Sequence, residues 1–382
     1  MEYRILGRTG LKVGAIALGC EGFTDKTAEE VRADFDFAIR NGINFLDLYA
    51  SNPTLRSNIG AALAGRREKF VIQGHLCSVW EEGQYLRTRD PEKSLAAFED
   101  MLARLGTDYV EIGMIHYVDA EADLREVLDG PIMRLAQRLR SEGRIRHIGL
   151  SSHNPVVAHM AARTGLIDVL MFSVNPCYDL LPPSDDVDTL WADESYAREL
   201  HNIDPERQLL YEFCEREGIA IDVMKAYGGG DLLSDANSPF GRPMTPVQCL
   251  EYALTRPGVA AVMAGCRSRA EIEAALGWCS ATAAERDYTG ALAGLDKFSW
   301  EGHCMYCGHC APCSVGIAIA GVNKYYNLTL AQHEIPETVR EHYRLLPHHA
   351  SECIACGRCE RNCPFGVDII GHMRLAAAKF GY

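Results

Sequence analysis

Eight apolar segments with the composition of buried β-strands alternate with segments of helical periodicity, and this alternation limits the possible folds more than any other feature. The strand candidates are residues 14–19, 43–49, 70–75, 109–116, 147–151, 169–175, 220–226 and 260–265. Because nearly every position in them is apolar, each strand is expected to be buried on both faces. Eight strand–helix units predict an α/β fold, a (β/α)8 TIM barrel, with a doubly wound sheet as the alternative.

The composition fits a folded chain with a large core and a smaller second unit. Of the 382 residues, 47% are hydrophobic and 24% are charged, which excludes disordered and fibrous proteins. The helix candidates are residues 28–41, 91–105, 123–142, 155–164, 204–217, 246–256 and 269–277. Because one barrel needs about 250 residues, the predicted division is a barrel over residues 1–290 and a second domain over residues 291–382.

The charge balance bears on partners and location. A net charge of −14 disfavours binding to nucleic acid and to anionic membranes. The longest uncharged stretch, residues 302–323, contains four cysteines and a proline, so it is not expected to span a membrane. The first residues are not followed by an apolar signal core, which predicts a cytoplasmic protein.

Polar side chains collect where the predicted strands end, which is the active-site face of such a barrel. They are Asp47, Tyr49, Ser51, His75, His116, Tyr117, Ser151, Ser152, His153, Asn175, Lys225 and Tyr227. We predict that His75 and His116 perform acid–base chemistry, with Asp47 and Lys225 as electrostatic partners. The alternative is that Asp47 forms a salt bridge that only closes the barrel.

Two glycine-containing turns predict an anion site. Gly228, Gly229 and Gly230 follow the seventh strand, and Gly265, Arg267 and Ser268 connect the eighth strand to a helix. Backbone N–H groups at such turns, together with a helix N-terminus, are typical of phosphate binding in barrels. The alternative is that they are only tight turns. Neither a GxGxxG nor a P-loop motif occurs.

Residues 181–207 are too long and too acidic for an ordinary strand–helix connection. Long loops in compact barrels are usually lids or partner surfaces. A solvated excursion without function is the alternative.

Eight of the 15 cysteines lie in two short runs. The runs are Cys304-x2-Cys307-x2-Cys310-x2-Cys313 and Cys353-x2-Cys356-x2-Cys359-x3-Cys363-Pro364. Such spacing is typical of [4Fe–4S] ligation, and in two-cluster ferredoxins the fourth cysteine of a run ligates the other cluster. The predicted ligand sets are Cys304, Cys307 and Cys310 with Cys363, and Cys353, Cys356 and Cys359 with Cys313. Structural zinc is the alternative.

Motifs along nearly the whole chain resemble the aldo/keto reductase superfamily, in the branch with a C-terminal two-cluster 4Fe-4S ferredoxin-type domain. They are YRILGRTGLKVGAIALG, GINFLDLY, RLGTDYVEIGMIHY, GRIRHIGLSSHNP, VMKAYGGGDLL, TPVQCLEYAL, AGCRSRAEIEAAL and both cysteine runs. The resemblance implies a (β/α)8 barrel and hydride transfer from a reduced nicotinamide to a carbonyl by an Asp–Tyr–Lys–His tetrad.

The chain keeps only part of that tetrad. Asp47 and His116 match the family's aspartate and histidine, whereas Asn52 stands at the tyrosine position and His75 at the lysine position. An asparagine amide is not an acid, so the usual proton donor is missing. The candidates for its replacement are Tyr49 and Tyr178.

The residues that hold the nicotinamide cofactor in the family are also changed. Ser151 and Ser152 stand at its Ser–Asn pair, Asn175 replaces a glutamine, and Ala274 and Ala275 replace its adenine-contacting Glu–Asn pair. These departures count against nicotinamide binding. Arg267 and Ser268 still suit a phosphate.

Three functions follow from these features. The first is an iron–sulfur oxidoreductase that acts on a small organic substrate in the barrel and relays electrons through two [4Fe–4S] clusters, with a flavin (FMN) or NADP(H) as candidate bridging cofactor and a redox protein as candidate partner. The second is an NADPH-dependent carbonyl reductase. The third is a non-catalytic electron-transfer partner. In the first case the cysteine domain is expected over the barrel rim where the strands end.

Overall fold

A computed structural model describes residues 1–293, 295, 297–330, 335 and 337–382. Its main unit is a closed barrel of eight parallel strands, which confirms the predicted fold class. The barrel strands, in chain order, are β3 (Ile16–Gly19), β4 (Phe45–Leu48), β5 (Val71–Leu76), β8 (Val110–Ile115), β9 (Ile145–Ser152), β10 (Val169–Ser173), β12 (Ala220–Met224) and β13 (Val259–Gly265). Strand β13 pairs with β3 and so closes the barrel.

Three two-stranded sheets flank the barrel in the described residues. The antiparallel pairs are β1 (Tyr3–Ile5) with β2 (Lys12–Gly14), and β6 (Ser78–Glu81) with β7 (Gln84–Arg87). The parallel pair is β11 (Leu200–His201) with β14 (Phe298–Ser299). The β6–β7 hairpin directly follows β5, so it stands at the end of the barrel where the strands finish.

Helices connect the barrel strands and cover the barrel. They are α1 (Ala28–Arg40), α2 (Pro53–Leu63), α3 (Pro91–Leu105), α4 (Glu121–Asp129), α5 (Pro131–Ser141), α6 (Pro155–Arg163), α7 (Pro205–Glu217), α8 (Pro246–Leu254), α9 (Arg269–Leu276), α10 (Ala283–Arg286) and α11 (Thr289–Leu292). Proline at the first helical position and a capping side chain before it begin several of them, for example Asp90 before Pro91.

The single helix predicted over residues 123–142 was wrong, because the structure contains two. Gly130 ends α4, and Pro131 begins α5. Proline lacks a backbone N–H and cannot continue a preceding helix, whereas it suits the first turn of a new one.

The barrel interior changes in character along its axis. One cluster of buried apolar residues fills the interior, among them Leu6, Val13 and Phe45, and a larger cluster lies between strands and helices. Buried polar side chains, including Asp47, Gln73 and Asp222, are also present. The interior is therefore a packed core, with a polar region where the site forms.

The C-terminal domain contains α12 (Ile319–Leu328), α13 (Glu337–Arg344), α14 (Arg358–Asn362) and α15 (Ile369–Phe380). The predicted boundary at residues 290 and 291 falls in α11, and positions 294 and 296 of the following linker lie outside the described residues. No helix in the described part of the chain is long and apolar enough to cross a membrane.

The C-terminal domain joins the outer wall of the barrel rather than its rim. Lys324 forms an ion pair with Glu215 near the end of α7, at 2.8 Å, and Arg256, beyond the end of α8, donates to the Met305 carbonyl at 2.5 Å. The linker between the two units reaches the rim, where β14 pairs with β11. The expectation that the cysteine domain covers the rim was wrong, because the chain turns down along α7 and α8 after Trp300.

Candidate active site and cysteine centres

A hydrogen-bonded chain of buried side chains starts at Asp47. His75 Nε2 lies 2.9 Å from Asp47 Oδ1, and His75 Nδ1 lies 2.8 Å from His116 Nδ1. Asp47 and His75 end neighbouring strands β4 and β5, and His116 follows β8, the next strand round the barrel. The structure therefore brings together three of the four predicted catalytic residues.

Tyr85 extends this chain to the surface. Its hydroxyl lies 2.7 Å from His116 Nε2, and the residue is 38% exposed. Tyr85 could not be expected from the strand–helix pattern of the sequence, because it lies on the β6–β7 hairpin, outside that pattern. Tyr49 stacks on His116 with ring centroids 5.5 Å apart. The one hint of Tyr85 in the sequence is the length of the connection between β5 and α3, residues 77–90, to which the predicted pattern assigns no element.

Two further polar residues at the inner end of the chain were also missed. Gln73 Nε2 donates to Asp47 Oδ1 at 2.9 Å and to Asp222 Oδ2 at 2.8 Å. Burial, followed by the charge of Asp47, raises the pKa of Asp222 well above its usual range. An uncharged Asp222 beside a charged Asp47 avoids placing two carboxylates in one buried region.

The environment of His116 favours its neutral form. Burial holds the pKa of His116 well below its usual range, and positive charge on His75, when that residue is protonated, and on Arg89 lowers it further. A neutral imidazole has one donor and one acceptor nitrogen, so it can pass a proton between two neighbours.

The structure does not join Lys225, the fourth predicted catalytic residue, to this chain by a described hydrogen bond. Its ammonium lies 4.4 Å from the ring centroid of Trp191, a residue of the acidic segment 181–207. Burial lowers the pKa of Lys225, while Asp119, Glu21 and Asp188 act in the opposite direction.

The acidic segment packs over the barrel mouth. Leu190 and Leu200 are buried, and Asp185 accepts a hydrogen bond from Asn154, which follows β9. A cavity of about 360 Å³ lies beneath the segment. It is lined by Cys177, Tyr178, Leu190, Trp191, Asp193, Tyr196, Gly228, Asp231, Leu232, Ala236, Asn237 and Pro239. These contacts fit a lid better than a solvated excursion.

The side chains predicted to hold a nicotinamide are already used in internal hydrogen bonds. Ser151 Oγ accepts from the Tyr117 backbone N–H, and Ser152 Oγ donates to Asp119 Oδ1. Asn175 Nδ2 donates to the Lys225 carbonyl.

The predicted anion site is likewise engaged by the protein itself. The Arg267 backbone N–H donates to Glu271 Oε2 at 2.7 Å, and Ser268 caps the helix that contains Glu271. The N–H groups of Gly228 and Gly230 donate to backbone carbonyls, and Gly265 ends β13. Gly229 has a φ of 72°, and this turn needs glycine for its backbone conformation.

Cysteines of both runs meet in the C-terminal domain. One cavity is lined by Cys304, Cys307, Cys310 and Cys363, which is the first predicted ligand set. At the second predicted set, Ser314 Oγ lies 3.7 Å from Cys356 Sγ, which places the end of the first run beside the second. In the described residues no three His, Cys, Asp or Glu side chains are close enough to hold one metal ion.

Comparison with protein families identifies the barrel. The model described as "Aldo/keto reductase family" matches residues 11–248, and the model described as "4Fe-4S dicluster domain" matches residues 303–368. The chain belongs to the aldo/keto reductase family. The iron–sulfur domain follows the family barrel, as the resemblance implied.

Curated relatives match the chain over part of its length. An uncharacterized oxidoreductase of Bacillus subtilis is 28% identical over 177 residues, 45% of this chain and 56% of that protein. The L-galactose dehydrogenase of Arabidopsis thaliana is 28% identical over 48% of this chain and 61% of its own. The L-glyceraldehyde 3-phosphate reductase of Escherichia coli K12 is 30% identical over 165 residues, which are 41% of this chain and 46% of that protein. The chain thus spans about half the length of these relatives.

Solved aldo/keto reductases share the barrel. An aldo-keto reductase of Bacillus halodurans, in its holo form, superposes with a TM-score of 0.57 at 24% identity, covering 75% of this chain and 94% of that one. A putative aldo-keto reductase of Pseudomonas aeruginosa superposes with a TM-score of 0.55 at 22% sequence identity, and the match covers 73% of this chain and 95% of that one. At this level of identity the likeness establishes the fold.

Proposed function

We propose that this aldo/keto reductase family member is an iron–sulfur oxidoreductase. In this proposal, electrons pass between a small organic substrate at the barrel mouth and two [4Fe–4S] clusters in the C-terminal domain. The observation that carries the proposal is the cavity in which Cys363 joins three cysteines of the other run. A fourth ligand from the other run is the arrangement of two-cluster ferredoxins.

The cysteines fit iron–sulfur clusters. Cys304, Cys307, Cys310 and Cys363 would hold the first cluster, and Cys353, Cys356, Cys359 and Cys313 the second. Each cluster, when bound, supplies one-electron transfer. Cys356 is exposed, so the second cluster is the one that a redox protein would reach. We place the reaction in the cytoplasm, where thiols stay reduced.

A dinucleotide fits this barrel less well. Ser151, Ser152 and Asn175 each form hydrogen bonds within the protein, and Glu271 accepts a hydrogen bond from the backbone N–H of Arg267. The Glu271 carboxylate thus occupies the turn after β13, where the phosphate of a flavin was predicted to bind. No step of the proposal therefore passes through NADP(H) or a flavin.

An aromatic contact joins the linker before the first cysteine run to the loop that follows β12. Trp300, which is buried, lies four residues before Cys304, and its ring centroid is 6.0 Å from that of Phe240. Phe240 follows Pro239, which lines the cavity under the acidic segment. We propose that electrons cross between the domains at this contact.

The acid–base part falls to the hydrogen-bonded chain of Asp47, His75 and His116. His116 and His75 would move the proton, and Asp47 would stabilise the cationic imidazole. Lys225, at the other side of the mouth, would contribute positive charge toward the substrate.

The cluster proposal predicts about eight iron atoms per chain in protein purified without oxygen. Cys363→Ala and Cys313→Ala should each lower the iron content to about four, because each removes a ligand of a different cluster. Cys279→Ala is the matched control, because Cys279 lies outside both runs, and it should leave the iron content unchanged. Four iron atoms in the unmodified protein would contradict the second cluster.

Cofactor extraction from the same preparation separates the alternatives. The proposal expects neither a flavin nor a nicotinamide in the extract, and electron paramagnetic resonance signals from both reduced clusters. Steady NADPH oxidation with simple aldehydes, unaffected by loss of the clusters, would instead favour an ordinary carbonyl reductase. Tight binding of a redox protein without turnover would favour a non-catalytic role.

A further inference from the structure

We propose that Tyr85 exchanges the proton with the substrate oxygen, and that Asp47, His75 and His116 form the relay behind it. The inference rests on the proposed function, since it assigns the proton donor of the same site. It concerns proton transfer only, so it does not depend on which reductant supplies the electrons.

The directions of the hydrogen bonds follow from the chemistry of the groups. A carboxylate only accepts, so the Nε2–H of His75 donates to Asp47. In neutral His75 the Nδ1 atom is then an acceptor, and it must receive a proton from Nδ1 of His116, 2.8 Å away. His116 Nε2 is left as an acceptor, so the Tyr85 hydroxyl donates to it. All four groups are thereby aligned in one direction.

This alignment prepares Tyr85 to accept a proton from outside. Its hydroxyl hydrogen points inward to His116, which leaves a lone pair of its oxygen without a described donor, in a residue that is partly exposed. A substrate alcohol can donate to that oxygen. When the O–H bond of the substrate alcohol breaks, its proton binds the Tyr85 oxygen, and the original hydroxyl proton of Tyr85 moves to His116 Nε2. The proton on His116 Nδ1 then moves to His75 Nδ1.

The extra proton ends on His75, whose cation Asp47 stabilises. No electron moves in this step, and the number of protons is conserved. When the relay carries that proton, every hydrogen bond between His75 and Tyr85 is reversed. Tyr85 then donates to a carbonyl oxygen. The two protonation states of the relay thus serve oxidation and reduction.

The other candidate donors are placed less suitably. Asn52, at the family tyrosine position, accepts from the backbone N–H groups of Thr54 and Leu55 and caps α2. Tyr178 lines the cavity under the acidic segment and has no described hydrogen bond to the relay. Tyr49 stacks flat on His116, so its ring face, not its hydroxyl, meets the imidazole.

The first test reads the relay without any substrate. Holo-protein with ¹⁵N-labelled histidine should show His75 protonated at Nε2 and His116 at Nδ1. In Tyr85→Phe, the ¹⁵N chemical shift of His116 Nε2 should move toward the value of an imidazole nitrogen that accepts no hydrogen bond. Tyr109→Phe is the matched control, because this tyrosine precedes β8, at the opposite end of that strand from His116, and its ring contacts Arg67 and Arg146. An unchanged His116 signal in Tyr85→Phe would overturn the relay.

The second test measures turnover, with DL-glyceraldehyde as the carbonyl probe and reduced methyl viologen as the electron donor. Tyr85→Phe should lower kcat on the order of 100-fold and leave KM within about twofold, whereas Tyr109→Phe should change neither by more than about twofold. Equal kcat in Tyr85→Phe and the unmodified protein would refute the assignment. If the unmodified protein shows no turnover, the proposed function fails for this probe, and the histidine spectra still decide the relay.

Discussion

At the scale of single residues, Glu212 shows how burial of a carboxyl group affects stability. This α7 residue is 6% exposed and accepts a hydrogen bond from Gln208. Burial raises the pKa of Glu212 from 4.5 to about 7. Between these pH values the folded protein therefore keeps the Glu212 carboxyl protonated, whereas the unfolded chain has released that proton. The stability of the folded protein decreases as the pH rises through this range, because ionisation is easier in the unfolded chain.

We expect Glu212→Gln to remove this pH dependence. At pH 8 the substitution should stabilise the protein by up to about 3 kcal/mol, which corresponds to roughly 2–4 °C in the thermal midpoint. The difference in stability between Glu212→Gln and the unmodified protein should be smaller at pH 5, where the folded protein keeps Glu212 protonated. Thermal scans of anaerobic holo-protein at both pH values provide the measurement. Glu217→Gln, on an exposed residue of the same helix, is the control, and an equal gap at both pH values would show that ionisation of Glu212 is not the cause.

At the scale of secondary-structure elements, the β6–β7 hairpin decides whether the proton relay reaches the surface. Its turn consists of Glu82 and Gly83, with φ values of 51° and 78°. Two successive residues with positive φ make the tight turn that suits twisted antiparallel strands. The turn sets the register that places Tyr85 opposite Trp80. The strained position is Glu82, because a non-glycine residue rarely takes this conformation.

The hairpin should respond in opposite ways to substitutions at its two turn residues. Gly83→Val is expected to destabilise it by about 1–2 kcal/mol, since a β-branched side chain disfavours positive φ. Glu82→Asn should stabilise it, because asparagine tolerates this backbone conformation. Amide hydrogen exchange over residues 78–87 should accelerate about tenfold or more in the first variant and slow in the second. Identical exchange in both would show that the turn does not control the hairpin.

At the scale of the whole molecule, the barrel and the iron–sulfur domain are joined by links of unequal strength. Arg256 is 2% exposed and donates to the Met305 carbonyl and to the Tyr288 hydroxyl. The ion pair between Lys324 and Glu215 is partly solvated, with 29% and 28% of the two side chains exposed. A buried charged hydrogen bond contributes more than a solvated ion pair, because water competes with the latter.

Substitutions at the two links should therefore differ in effect. Arg256→Met is expected to cost about 2–3 kcal/mol, to lower the thermal midpoint by roughly 2–4 °C and to speed proteolysis of the linker near residues 297–303. Lys324→Met should change the midpoint by no more than about 1 °C. Scanning calorimetry and timed proteolysis of anaerobic protein compare them. An effect of Lys324→Met as large as that of Arg256→Met would contradict this ranking.

The amino-acid sequence alone is sufficient to predict the barrel and the iron–sulfur domain. Strand and helix periods are local properties, so the eight barrel strands lie within a few residues of their predicted positions. The strand ends also predicted Asp47, His75 and His116 as neighbours, because parallel strands finish at one edge of a barrel. The spacing of cysteines predicted an iron–sulfur domain, which the family comparison confirmed.

The contacts between these parts could not be predicted and are known from the folded structure. Gln73 and Asp222 are 149 residues apart and touch because the barrel closes. Tyr85 reaches His116 because a hairpin folds back over the mouth. The placement of the iron–sulfur domain on α7 and α8 depends on surface contacts such as Arg256 with Met305. These contacts join residues far apart in the chain, and local periodicity contains no information about such pairs.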